Sequence, residues 1–388
     1  QIIGESTEVL NFLKENNIQI YYYNPIKLKY FNFFKPVKSF LNLNQRLHDK
    51  IWSAKFFDEQ KKEYRYLSLF GDKNISLDYY RQAKAYDSDV NPMLGHELLV
   101  DSQSLGIKTF EYIDDLIKSS EPAYPINIKR SDKKTEVFNQ KISDLLFWVR
   151  ARYEERRRQD FNATTGKPSV EIQPGNINFL KDVSDKTTYS QLLSELRDAQ
   201  PGEEIYIENP YFVLEPELIE TLKVLRGKSC KVTLVSNLPQ NNDVWIAGKA
   251  LEVDLAEIAR LGVDVYLIVK KSNITHAKLA IIGDRKLYIG SSNFDPRSLV
   301  LNSESGIILE DSKIVSIYKE KITKKIQKST VVAVSQGKIL STKKTFGFDF
   351  TISSGNKIKR CQSYYQRFDQ YKSGYFKKLF INTLRSYL

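Results

Sequence analysis

Two diverged copies of one short pattern constrain this chain more than any other feature. The later copy occupies residues 275–311. It opens with His276, Ala277 and Lys278, continues into an apolar run at 279–282, and turns at Gly290, Ser291, Ser292 and Asn293. Glu304 follows 28 residues after the histidine. The earlier copy opens with His48, Asp49 and Lys50. Two strand-like runs at 51–57 and 64–70 follow, joined by a charged turn at 58–63. Then come Gly71, Asp72, Lys73 and Asn74, and an acidic pair, Asp87 and Asp89, before Val90. The order is the same in both copies, although histidine and glycine are 23 residues apart in the first and 14 in the second. This order implies an internal duplication and two similar lobes.

The residue types suit phosphoryl transfer without a metal or other cofactor. On a strand, side chains two apart share a face, so each histidine stands beside its lysine. An imidazole can attack phosphorus or protonate a leaving oxygen. The ammonium neutralises a phosphate oxygen. Asn293, with Ser292 beside it, supplies further hydrogen bonds, and Asn74 is the counterpart in the first copy. A carboxylate can hold the second ring nitrogen and fix the tautomer. Glu304 is expected to do this for His276, and Asp87 for His48.

At these residues the chain resembles the phospholipase D superfamily. The run Ser292-Asn293-Phe294-Asp295-Pro296-Arg297-Ser298 and the run Leu301-Asn302-Ser303-Glu304 are most similar to its bacterial cardiolipin synthase branch. The first copy matches the same motifs with substitutions. The family pattern His-x-Lys-x4-Asp departs at both copies, where Lys55 and Gly283 stand in place of aspartate. The resemblance implies a pseudo-twofold α/β fold of two lobes, each with a mostly parallel sheet flanked by helices. It also implies roles. His48 is the nucleophile that becomes a phosphohistidine, and His276 is the acid and then the base. Lys50, Lys278, Asn74 and Asn293 hold the phosphate.

Composition narrows the partners. The net charge is +12, yet residues 313–388 hold 17 Lys and Arg against 3 Asp and Glu, which leaves the remainder slightly acidic. A basic tail points to an anionic partner, a membrane surface or nucleic acid. Two cysteines, Cys230 and Cys361, suggest neither a disulfide framework nor a zinc site. With three histidines in the chain, histidine chemistry must use His48, His96 or His276, and His96 matches no motif. No apolar run reaches membrane-span length.

The rest of the chain divides around the two copies. Residues 1–130 read as the first lobe, which lacks the strand, helix and strand expected upstream of its histidine. Residues 131–175 read as a charged, helical connector ending in a loop. Residues 176–328 read as the second lobe: strands at 204–208, 231–236 and 263–269, and helices at 215–226 and 253–261. Residues 209–212 and 237–243 are loops after strands, where ligands of open α/β sheets sit. Residues 329–388 form a basic extension with a small hairpin at 331–335 and 338–340 and an amphipathic helix at 375–384. An aromatic and lysine-rich segment at 27–40 suits a membrane interface.

The reading is a bacterial, peripherally membrane-associated enzyme acting on anionic phospholipids as a phosphatidyltransferase. The alternatives are a phospholipase D that uses water, a nuclease of the same superfamily whose tail grips phosphodiester backbones, and a degenerate lipid-binding module without activity.

Overall fold

The computed structural model describes residues 19, 21–23, 46–74, 93–122, 171–182, 187–268, 274–328, 331–335 and 338–340. The segment 27–40, most of the connector, Asp87 and the basic end beyond 340 lie outside the described residues. The chain divides into two compact units, 1–27 with 116–171 and 28–115 with 172–388. In the smaller unit, Tyr21–Tyr22 pairs antiparallel with Glu121–Pro122. Both copies of the repeated pattern lie in the larger unit.

The first lobe contains β1 (Ile51–Asp58), β2 (Glu63–Gly71), β3 (Glu97–Asp101) and α1 (Gln103–Lys118). Its three strands pair in the order β1-β2-β3, all antiparallel. The second lobe opens with β4 (Ile177–Lys181), α2 (Thr188–Arg197), β5 (Glu204–Glu208), α3 (Pro216–Gly227), β6 (Lys231–Asn237), α4 (Trp245–Arg260) and β7 (Val263–Ile268). It continues through β8 (Leu279–Ile282), β9 (Lys286–Gly290), α5 (Pro296–Val300), β10 (Ser305–Glu310), α6 (Ser312–Lys328), β11 (Val331–Ser335) and β12 (Lys338–Leu340). Among the described residues these strands form one sheet in the order β12-β11-β7-β6-β5-β8-β9-β10-β4.

The α/β class holds, but the sheet is mixed rather than mostly parallel. Among the described pairings only β5–β6 and β6–β7 are parallel. Parallel neighbours need a crossover long enough for a helix, and α3 and α4 supply it at those two places. Past β7 the chain advances by antiparallel pairings, as in the short turn between β8 and β9, so polarity alternates. Pro216 at the first position and the Glu215 carboxylate, which accepts from the Glu217 and Leu218 amides at 2.8 and 2.5 Å, start α3 where its sequence signals place it. The expected hairpin at 331–340 is present and extends the sheet at β7.

The core lies beneath this sheet. Leu192, Leu193 and Leu196 of α2 and Leu218, Leu222 and Leu225 of α3 are buried with Ile205, Ile207, Leu234 and Val265. A fully buried leucine contributes roughly 1.5–3 kcal/mol, so this face anchors the strands that carry the site. The duplication is explicit in the register. Ile51 pairs with Phe70 as Leu279 pairs with Ile289, and Gly71 pairs with Glu97 as Gly290 pairs with Gly306. Counterparts of β5, β6 and β7 are not among the described residues of the first lobe. Also among the described residues, no helix is long and apolar enough to cross a membrane.

Candidate active site

The two His-x-Lys segments do not close within their own lobes. Each forms a parallel bridge with the other lobe: Leu47 with Ser303, and Thr275 with Leu94. The His48 amide donates to the Ser303 carbonyl at 3.0 Å and the Ser303 amide to the Arg46 carbonyl at 2.8 Å. Correspondingly, the His276 amide donates to the Leu94 carbonyl at 2.7 Å and the Leu94 amide to the Ile274 carbonyl at 2.9 Å. This crossed exchange brings both histidines and both lysines to one place. His276 senses the charges of Lys278, Lys50 and His48.

The exchange also corrects one expected pairing. Glu304 holds His48, not His276: its two carboxylate oxygens lie 3.0 and 2.9 Å from His48 Nδ1. The reason is the bridge at Ser303, which sets the next residue against the histidine of the opposite lobe. Glu304 is buried and well supplied. Ser291 Oγ donates to it at 2.5 Å, Ser298 Oγ at 2.8 Å and Asn302 Nδ2 at 3.3 Å. Burial alone would raise its pKa. The charges of His48 and Lys50 and the hydrogen bonds from His48 and Ser291 outweigh burial and bring it down to about 2. Asp182 supports it from below, accepting the Glu304 amide at 3.0 Å while its other oxygen caps α2.

Asp87, the acid expected to hold His48, lies outside the described residues. Because Gly71–Glu97 matches Gly290–Gly306, the position equivalent to Glu304 is held by Gly95. His276 is held instead by main chain: its Nδ1 is 3.0 Å from the Asp72 carbonyl. A carbonyl only accepts, so in this contact Nδ1 carries the hydrogen, which leaves Nε2 as the ring atom that can exchange protons.

The lysines repeat one another. Lys50 Nζ donates to the His48 carbonyl at 2.7 Å, and Lys278 Nζ to the His276 carbonyl at 2.9 Å. Lys278 Nζ also lies 2.9 Å from His276 Nδ1 and 3.2 Å from its Nε2. Burial lowers the pKa of Lys50 to about 8; burial and the neighbouring Lys50 bring Lys278 to about 7. Burial first, then both lysines against the pull of Glu304, lowers His48 to about 4; burial, both lysines and His48 push His276 well below the usual imidazole range. The asparagines differ: Asn293 is buried, whereas Asn74 is exposed. Ser292 Oγ and Asn293 Oδ1 are buried without a hydrogen-bond partner among the described residues.

The two loops expected to border the cleft do so. Tyr211 stands edge-on to the His276 ring at 6.2 Å, and its hydroxyl donates to Asp243 at 2.8 Å. Asn242 ties the loops together by donating to the Pro210 carbonyl at 2.9 Å. His96 is structural, as expected. With Lys325 and Thr275 it binds the buried Glu208, whose pKa falls well below the carboxylate range because the Lys325 charge and these hydrogen bonds outweigh burial. Tyr112 went unread in the sequence. Its hydroxyl donates to Asp49 at 2.9 Å and also meets Ser303 and the Asp182 carbonyl, locking the lobes together.

The departures from the family aspartate are accommodated. Gly283 has φ +59°, and a Cβ there would lie 2.2 Å from Glu203 Oε1, which instead binds Arg285. Lys55 lies over the rings of Tyr64 and Tyr66 at 4.5 and 5.5 Å.

The fold and this paired site are like those of phospholipase D-type proteins, and comparison with known proteins points the same way. Residues 192–326 match the family model described as cardiolipin synthase, PLD-like domain. An uncharacterized protein of Helicobacter pylori is 23% identical over 335 residues, covering 78% of this chain and 62% of its own length. A cardiolipin synthase of Clostridium perfringens is 30% identical over 132 residues, covering 34% of this chain and 26% of its own. The crystal structure of phosphatidylserine synthase from Haemophilus influenzae shares the fold, with a TM-score of 0.51 at 15% identity, over 83% of this chain and 69% of that one. The chain thus spans less than two thirds of the length of the curated relatives it matches. Its second lobe is similar to the PLD-like domain of cardiolipin synthases.

Proposed function

We propose that this chain is a phosphatidyltransferase working through a phosphohistidine on His48. The observation that carries the reading is the His48–Glu304 pair at 2.9 Å. A carboxylate accepts, so Nδ1 keeps its hydrogen and Nε2 presents a lone pair. Nε2 attacks the phosphorus of a phospholipid diester. The N–P bond forms as the bond to the leaving alcohol breaks, and that oxygen takes a proton from His276 Nε2. In the second half His276 takes the proton of an acceptor hydroxyl, whose oxygen displaces His48. Lys50, Lys278, Ser292, Asn293 and Asn74 stabilise the non-bridging oxygens. The site without substrate holds both lysines below their ordinary pKa. An entering diester anion favours their charged forms and that of His276.

The branch supports a lipid hydroxyl, that of phosphatidylglycerol, as acceptor and an anionic phospholipid surface as partner, with the enzyme bound peripherally. The test is incubation with phosphatidylglycerol vesicles. Wild type should form cardiolipin and glycerol, and labelled lipid phosphorus should be trapped on the protein but not on H48A. Phosphatidic acid as sole product would make it a hydrolase. Cleavage of single-stranded DNA with no lipid turnover would make it a nuclease.

A further inference from the structure

β5 and β6 each end on a side chain that reaches the segment carrying His276. Glu208 is the last residue of β5 and Asn237 the last of β6. Both are buried, as is Thr275, the residue before the histidine. β8 begins only at Leu279, so Thr275 and His276 stand outside the strand ladder and are held by other means. The Asn237 side chain pairs with both main-chain groups of Thr275. Its Oδ1 accepts the Thr275 amide at 2.7 Å, and its Nδ2 donates to the Thr275 carbonyl at 2.8 Å. The Thr275 hydroxyl donates to Glu208 and accepts the Ala277 amide at 3.2 Å. Glu208 is in turn gripped by His96 Nε2 at 3.0 Å and by Lys325. The peptide that joins Thr275 to His276 is thus tied at its oxygen by Asn237 and at its nitrogen by the Leu94 carbonyl, 2.7 Å away.

We propose that Asn237, together with Glu208, is the positioning element of His276: the two side chains fix Thr275 so that Nε2 of the next residue's ring meets the leaving oxygen. This rests on the transfer reading above and adds to it the groups that aim its acid. The residue type follows from the task. A buried peptide N–H and C=O must both be paired, and a side-chain amide offers an acceptor and a donor in one fork. Aspartate at 237 would keep the acceptor and lose the donor. The constraint differs from that of the Asp72 carbonyl, which turns the ring; Asn237 sets the backbone from which the ring hangs. Both polar atoms of the Asn237 amide are engaged by Thr275, so its effect on the reaction passes through the histidine. The demand on placement is high. A proton passes directly only within about 2.6–3.2 Å, and a shift of about 1 Å caused by a remote change can cost about 10²-fold in rate.

The test compares two leaving groups on one phosphatidyl donor, with the full chain. Phosphatidylglycerol releases an alkoxide, which needs a proton from His276. Phosphatidyl-p-nitrophenol releases a stabilised phenolate, which needs none. Rapid quench reads phosphohistidine formed from the first, and absorbance reads the p-nitrophenolate burst from the second, so both report the attack of His48. In N237D the rate with phosphatidylglycerol should fall about 10²-fold, while the burst rate stays near that of wild type. T275V removes the hydroxyl that joins Glu208 to the segment and should show the same selective loss. T275S keeps that hydroxyl and should stay near wild type with both donors. A substitution that merely loosened the fold would lower both rates together. Equal losses on the two donors, or an undiminished rate with phosphatidylglycerol, would overturn the proposal and leave the transfer reading intact. Should N237D not fold, the comparison of T275V with T275S decides alone. A wild-type protein that forms phosphohistidine from neither donor would overturn the transfer reading, and this inference with it.

Discussion

Glu304 receives hydrogen bonds from Ser291, Ser298, Asn302 and His48, yet the last alone is chemistry. In E304Q the amide can donate toward Nδ1, which turns the ring's hydrogen to Nε2, the attacking atom. Loss of tautomer control in a comparable buried acid–histidine pair lowers kcat by about 10⁴-fold, and a drop on the order of 10³–10⁴ is expected here. Rapid-quench measurement of phosphohistidine should find its formation slowed, because Glu304 serves the attacking ring; a variant that forms it at the wild-type rate would return Glu304 to His276. The same residue sets an acid limit. Its folded pKa, about 2, lies below the ordinary 4.5. Its contribution is thus fully present above about 4.5 and lost as pH falls through 2. The stability gap between wild type and E304Q should shrink by on the order of 3 kcal/mol across that window, measured by denaturant titration at each pH.

At the scale of elements, periodicity and turn chemistry made most of the second lobe legible. β5, β6 and β7 lie within a residue of their expected limits, and α3 begins at its proline. β4 and α2 were not read: Ile177–Lys181 becomes a strand because β10 offers it an edge, which no local pattern announces. α4 begins eight residues earlier than its apolar pattern, at Trp245. The crossed Glu304 pairing was unreadable for the same kind of reason, since a bridge between Leu47 and Ser303 joins residues 256 positions apart. Asp87 reads as an acid before a strand, and the pairing of Gly71 with Glu97 puts Gly95 at the position equivalent to Glu304. The turn from β8 to β9 makes a related point. Restoring the family aspartate by G283D places a side chain at φ +59° and 2.2 Å from Glu203. Left-handed strain at a non-glycine residue costs about 1–3 kcal/mol, so G283D should melt several degrees lower, on the order of 2–6 °C, without gaining activity.

In the whole molecule, neither lobe completes a site. The first lobe supplies His48, and the second supplies its carboxylate; the second supplies His276, and the first supplies the carbonyl that orients it. Tyr112 and the two bridges hold this exchange inside one chain. A duplicated enzyme whose copies met between two molecules would behave differently from one whose copies meet within a single chain. Mixing H48A with H276A distinguishes them. A shared site between chains would pair an intact His48 with an intact His276 and restore a sizeable fraction of activity. An internal site leaves every molecule with one imidazole. The expected outcome is that the mixture stays as inactive as either variant at any ratio and concentration, read as cardiolipin formed from phosphatidylglycerol. Recovered turnover would mean that the crossing seen here is exchanged between subunits in the working enzyme.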